Sequence, residues 1–294
     1  MCRTLIRTIA HAAHGRLSAR SYLRLVVPGV VAMLLSALSF GVQAQHEPLV
    51  AVAASVAAAT EAITARFSSR SGIKVRLSVG ASGNLARQIR RGAPFELFIS
   101  ADQSYPQGIV DAGLSAGLST TYARGQLALM VTARSGIGLP TAIESAGAAP
   151  STRGMAIRYA LRDARIKHIA MANPNHAPYG RAARESLQFI DLWSSLEAKV
   201  VMGESVAQSA RFATTGTVQV ALLPLGTIVH SPLAKERYVI VPLAWYAPLR
   251  QQMVLIKAAS AQARQLFAFV RTDEARAILA EYGFLIDHPP AGTR

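Results

Sequence analysis

The chain has 294 residues and a formal net charge of +15, long enough for one large or two medium domains with a real core and basic enough to raise nucleic acid or a membrane surface as a partner. The arginines are scattered (Arg66, Arg87, Arg124, Arg158, Arg211, Arg250), with no basic run and no interleaved aromatics. That pattern excludes a dedicated nucleic-acid face and leaves a basic soluble surface that helps to attract anions.

Residues 1–24 carry Arg3, Arg7, Arg16, Arg20 and Arg24 and no acid, Leu25–Phe40 is apolar, and Val42-Gln43-Ala44 places small residues where a signal peptidase reads. Basic, apolar and small segments in that order predict a cleaved secretory signal peptide over residues 1–44. The apolar stretch contains Pro28 and is shorter than the ~20 residues of a spanning helix, which counts against a membrane anchor. The one cysteine, Cys2, lies in this leader, so the mature protein is expected to have no disulfide and no thiolate metal ligand. Taking five arginines and no acid away from +15 leaves +10 for residues 45–294.

Beyond the leader, strands and helices alternate. Leu49–Ala53 is a short apolar run, and Ala57–Arg70 reads as a helix with Ile63 and Phe67 one turn apart, stopped by Gly72. Val75, Leu77 and Val79 alternate as a second strand; Leu85–Arg91 follows as a second helix, stopped by Gly92 and Pro94; Leu97–Ser100 is a third strand. Further strands are predicted at Leu127–Val131, Ile169–Ala172, Lys199–Met202, Val218–Leu223, Tyr238–Val241 and Met253–Ile256. Helical patterns lie at Gly180–Trp193, Val206–Phe212, Ala261–Arg271 and Glu274–Tyr282, while residues 134–164 read as loops and one peripheral helix. Such alternation implies an α/β protein with mainly parallel sheets. The strands are too many for one open sheet of this length, so two sheets with a cleft between them are expected. Ligands in such folds bind at the carboxyl ends of strands, where helices begin.

Two turns carry the chemistry. Ala53-Ala54-Ser55 and Gly80-Ala81-Ser82-Gly83-Asn84 each lie between a strand and a helix, so each is expected to offer backbone N–H groups and a serine hydroxyl at a helix N-terminus. Unpaired donors and the helix dipole together suit an anion there. Taken singly, Ser55 reads equally well as a helix N-cap, Gly80–Gly83 as an ordinary strand-to-helix turn, and Tyr179 as a core or rim aromatic. His168, His176 and His230 show no metal-ligand spacing. Asp102, just after a strand, reads as a turn cap.

Those two turns, the run Leu85-Ala86-Arg87-Gln88-Ile89, Gly92-Ala93-Pro94 and Phe98-Ile99-Ser100-Ala101-Asp102 resemble the periplasmic molybdate-binding proteins of ABC importers. Asn173-Pro174-Asn175-His176-Ala177-Pro178-Tyr179-Gly180 is similar to a third signature, and Glu274-Ala275-Arg276 with Tyr282-Gly283-Phe284 to the closing helix. The likeness covers nearly all of 48–286. It implies a two-lobed periplasmic binding protein fold of type II, each lobe a mixed, mainly parallel sheet flanked by helices. Lobe 1 would span 45–127 with 249–294 returning to it, and lobe 2 would span 128–248. The ligand would be molybdate or tungstate, held in the cleft as an oxyanion by Ser55 and Ser82 from one lobe and by Tyr179 and the Val206 N–H from the other. Ala54, Gly83 and Asn84 would be neighbours. No metal cation, cofactor or enzymatic activity is implied. The partners would be an ABC permease and its ATPase, the location the periplasm, and the state a monomer. Some family members add a tyrosine in the segment aligned with Leu222–Gly226, where Pro224 stands here; that contact is lost, and the Tyr179 hydroxyl is expected to replace it. Glu96 stands where aspartate is usual and is expected to serve structure.

Three other readings remain open on sequence. The same fold could hold sulfate or another small anion, which meets the same donors. A ligand-sensing regulatory domain is opposed by the leader and by the lack of a DNA-binding helix pair. An exported serine hydrolase would use Ser82 as nucleophile, since Gly80–Asn84 is one residue short of a Gly-x-Ser-x-Gly elbow, with His230 or His288 as its base.

Overall fold

The computed structural model describes residues 46–139 and 149–286, so the predicted leader lies outside the described residues. A β-α-β-α-β run opens the fold: β1 (Leu49–Ala53), α1 (Ala57–Ser71), β2 (Arg76–Gly80), α2 (Ser82–Arg90) and β3 (Leu97–Ile99). Gly72 ends α1 with φ 73°, a left-handed turn that glycine adopts without a Cβ penalty, and its N–H closes on the Ser68 carbonyl. Next come α3 (Ser104–Asp111) and β4 (Thr120–Arg124), and the chain then crosses to β5 (Leu127–Val131). Around β5 are built α4 (Pro150–Leu161), β6 (Ile169–Ala172), α5 (Pro178–Phe189), α6 (Trp193–Leu196), β7 (Val200–Gly203), α7 (Val206–Thr214), β8 (Val220–Pro224), α8 (Leu225–Ile228) and β9 (Arg237–Ile240). The chain returns for β10 (Arg250–Leu255), α9 (Ala261–Val270) and α10 (Asp273–Glu281).

The strands form two five-stranded sheets, ordered β2-β1-β3-β10-β4 and β7-β6-β8-β5-β9. In each, two parallel pairings (β1 with β2 and β3; β6 with β7 and β8) are joined by two antiparallel ones made by the crossing strands β10 and β5. The sheets are thus evenly mixed, because a strand that arrives from the other lobe enters against the local βαβ direction. All five residues of β5 are buried, as expected of a central strand covered on both faces, whose sequence is a continuous apolar run rather than an alternation.

Two strand-to-strand segments connect the sheets, and they are bonded to each other. Gly125 N–H donates to the Leu249 carbonyl at 2.9 Å, and Val241 N–H to the Leu127 carbonyl at 2.8 Å. The chain end braces the same place: Arg124 and Leu285 exchange backbone bonds of 2.8 and 2.9 Å, and Gln126 Nε2 donates to the Gly283 carbonyl at 2.9 Å. Glu96 has a structural role. Its carboxylate meets His46 Nε2 at 2.6 Å and accepts from Ser260 N–H at 2.8 Å, fastening the start of β1 to the start of α9. Burial pushes this carboxyl up, but the bonds from Ser260 and His46 outweigh it and hold it below the ordinary value.

The sequence pattern does not predict β4 or α3. β4 reads Thr-Thr-Tyr-Ala-Arg, without clean alternation, and exists through its ladder with β10. α3 contains Pro106 and Gly108, both poor helix formers, and starts where Asp102 accepts from Tyr105 N–H at 3.3 Å.

Candidate functional site

Four helices follow parallel strands: α1 after β1, α2 after β2, α5 after β6 and α7 after β7. Their first turns meet across the gap between the two sheets. They enclose a cavity of about 10 Å³ lined by Ala53, Ala54, Ser55, Gly80, Ala81, Ser82, Ala101, Ala177, Pro178, Tyr179 and Val206. No carboxylate, lysine, arginine or histidine is among these residues. All four candidate residues, Ser55, Ser82, Tyr179 and Val206, come together here, two from each sheet's helices.

Each has a distinct bonding state. Ser55 is 4% exposed, and its Oγ has no hydrogen-bond partner among the described residues. It caps no helix, because α1 has Val56 at its N-cap and no side-chain cap bond. A buried hydroxyl left this way costs about 1–3 kcal/mol unless something completes it. Ser82 is fully buried at the first position of α2, where its Oγ accepts from Ala101 N–H at 3.1 Å and keeps its own proton for a second acceptor. The Tyr179 hydroxyl accepts from Gln251 Nε2 at 2.9 Å, and the Gln251 carbonyl oxygen accepts from the Tyr122 hydroxyl at 2.8 Å. Burial pushes the Tyr179 phenol far above its ordinary value, with Tyr246 adding in the same direction, so it stays a protonated donor. Val206 opens α7 behind the Ser205 N-cap, whose side chain accepts from Gln208 N–H at 3.4 Å.

The backbone adds to this donor set. Helical N–H groups in a first turn have no intrahelical acceptor. Those of Ser82, Tyr179 and Val206 find no other acceptor among the described residues. α1, α2 and α5 lack a side-chain cap, whereas α7, α9 and α10 are capped by Ser205, Ser260 and Thr272. At roughly half a positive charge per helix N-terminus, four of them supply on the order of two unit charges without an ionised side chain.

Contacts beside the cavity already join its two walls. Gly83 N–H donates to the His176 carbonyl at 3.0 Å, and Arg181 Nη2 meets Asp102 Oδ2 at 2.5 Å with its guanidinium 5.9 Å from the Tyr105 ring centre. Gly83 and Asn84, expected as neighbours of the ligand, do not line the cavity. Gly83 is engaged by His176, and the Asn84 side chain by Arg87. Pro224 sits at the end of β8 opposite Leu127, also outside the lining. Asp102 does accept from its own turn, as the sequence suggests, but its link to Arg181, 79 residues away, has no local signature.

Among the described residues the Ser82 hydroxyl is hydrogen-bonded to no histidine. His230 Nε2 is engaged by the Glu281 carbonyl, and His288 lies outside the described residues. No group of three His, Cys, Asp or Glu side chains stands together as a metal site among the described residues.

Residues 48–285 match the family of bacterial extracellular solute-binding proteins. The chain is 34% identical over 250 residues to the molybdate-binding protein ModA of Rhodobacter capsulatus, covering 83% of this chain and 90% of that protein. It is 32% identical over 264 residues to ModA of Azotobacter vinelandii, covering 87% and 96%. Among solved structures, the Azotobacter vinelandii periplasmic molybdate-binding protein superposes with a TM-score of 0.71 at 27% identity, covering 82% of this chain and 100% of that one.

Proposed function

The chain belongs to the bacterial extracellular solute-binding protein family, and from that premise we propose that it binds molybdate or tungstate in the cavity where the four helices begin. The observation that carries this reading is the buried Ser55 hydroxyl, which lacks a partner in a cavity rich in hydrogen-bond donors and free of carboxylates. A fully deprotonated tetrahedral dianion offers only acceptors, so hydroxyls and amides satisfy it without an ion pair. Phosphate near neutral pH carries a proton that asks for an acceptor, and no carboxylate of the described residues lines this cavity. Sulfate meets the same donors and is the reading to separate from molybdate; the names of the relatives favour molybdate.

In this account each lobe contributes two helices. Ser55 and Ser82 approach the anion from one side, Tyr179 and the Val206 amide from the other, and the Tyr179 hydroxyl, fixed by Gln251, takes the part that Pro224 cannot. The anion closes the lobes, and the closed periplasmic monomer delivers it to an ABC permease and its ATPase. The protein is a receptor and not an enzyme.

Thermal unfolding with molybdate, tungstate, sulfate and phosphate tests the reading. A ligand at 100 times its Kd stabilises by about 2.7 kcal/mol, a rise of roughly 5–10 °C for a domain of this size. Molybdate and tungstate are expected to produce that rise and phosphate none. A rise with sulfate alone would change the cargo, and no rise with any of the four would remove the oxyanion reading.

A further inference from the structure

Ser82 and Tyr179, the hydroxyls that line the cavity from opposite lobes, are joined behind its wall by an unbroken run of buried hydrogen bonds. Ser82 Oγ accepts from Ala101 N–H at 3.1 Å. The carbonyl of that same peptide unit, on Ser100, accepts from the Tyr122 hydroxyl at 2.9 Å. Tyr122 also reaches Gln251 Oε1 at 2.8 Å, and Gln251 Nε2 donates to the Tyr179 hydroxyl at 2.9 Å. Gln251 lies fully buried on β10 and is not among the described residues that line the cavity. Its bond to Tyr179 passes from one sheet to a helix of the other lobe, against Gly125 in the crossing segment. A Cβ at Gly125 would overlap both the Tyr179 hydroxyl and Gln251 Nε2, so the missing side chain there leaves room for the bond.

The run has a direction. Burial pushes both phenols far above their ordinary value, so each carries its one proton, while a glutamine amide has one donating and one accepting end. As the amide stands, Nε2 occupies the Tyr179 oxygen and the phenolic proton is left for the cavity. Turned over, Nε2 would donate to Tyr122, Tyr122 would give its proton to Ser100 alone, and Oε1 would draw the Tyr179 proton inward. The cavity would then face a lone pair, which repels an anion that offers only acceptors. Resting on the oxyanion reading, we propose that Gln251 is a positioning residue: without touching the anion, it turns the Tyr179 proton into the cavity and makes that hydroxyl a donor to an anion that carries no proton.

Calorimetric titration of the full chain with molybdate tests this, with thermal unfolding to establish that each variant is folded. Gln251→Met removes both ends of the amide and is expected to weaken binding at least fivefold. In a Tyr179→Phe background the same change should alter binding less than twofold, because the group it acts through is gone. Gln251→Glu adds a pH profile that loss of packing alone would not produce. A protonated carboxyl keeps one donating and one accepting end, whereas an ionised one only accepts and draws the Tyr179 proton inward; burial raises the pH at which it ionises. Relative to the wild type, Gln251→Glu should bind within threefold at pH 6 and at least tenfold more weakly at pH 9. Wild-type affinity in Gln251→Met, a full further loss in the double variant, or a pH-independent ratio for Gln251→Glu would overturn the proposal while leaving the oxyanion reading intact. A wild-type chain that does not bind molybdate would remove that reading and the proposal with it.

Discussion

Ser55 and Ser82 line the same cavity in different bonding states, and that difference separates their mutational effects. Ser55 Oγ is buried without a partner, whereas Ser82 Oγ accepts from Ala101 N–H. Ser55→Ala removes a hydroxyl that only a ligand completes. Its affinity loss is expected to be about 1.5–3 kcal/mol, the worth of a hydrogen bond to a charged group, with the ligand-free unfolding temperature unchanged or raised. Ser82→Ala should lose a similar amount of affinity and also lower ligand-free stability by about 1–3 kcal/mol, because it leaves Ala101 N–H buried and unsatisfied. Calorimetry with molybdate and unfolding without it check both halves; equal ligand-free stabilities would refute the distinction. Both serines were legible because each follows a short strand and precedes a helix. Their opposite bonding states were not, since Ala101 reaches Ser82 through the packing of β3 beside β1.

Among the elements, α2 and α5 do most to shape the site, and both begin without a side-chain cap. A capping serine or aspartate at Ala177 would compete for the Tyr179 N–H, which here finds no other acceptor among the described residues. The contact between these two helix starts depends on Gly83. A Cβ there would lie 2.9 Å from His176 Cβ and 2.7 Å from the Tyr105 hydroxyl, which sit on opposite sides of the gap between the sheets. Gly83→Ala is therefore expected to cost about 1–3 kcal/mol in anion affinity through overpacking of the closed form, with little change in ligand-free unfolding. Unchanged affinity would show that the two walls need not meet at Gly83. At this scale the sequence is informative where local chemistry decides. Leu127–Val131 and Ile169–Ala172 end where the pattern places them, since each is a buried apolar run. β4 and α3 escape it because their stability comes from a ladder partner 126 or more residues away and from Asp102.

For the whole molecule, the question is how two sheets joined by two short segments hold a shared ligand. Alternating strands and helices imply the two sheets; they do not reveal that half the pairings are antiparallel, which follows from strands exchanged between lobes. Nor do they reveal the ion pair across the gap. Asp102 is 7% and Arg181 34% exposed at the side chain, with 2.5 Å between their charged atoms. Arg181→Gln leaves the Asp102 carboxylate near the anion without its counter-charge. Losing such a partner acts mainly on dissociation, so molybdate should leave on the order of tenfold faster while its association rate changes little. Stopped-flow displacement measures this, and an unchanged dissociation rate would take the pair out of the closing mechanism.

The central claim is that one anion is shared by donors from both lobes. The most direct measurement is a crystal structure with molybdate in which anomalous scattering at the molybdenum edge locates the metal atom. The account predicts one strong peak among Ser55, Ser82, Tyr179 and the Val206 amide, with oxygens at hydrogen-bond distance from donors of both lobes. A peak elsewhere, or one held by donors of one lobe alone, would contradict it.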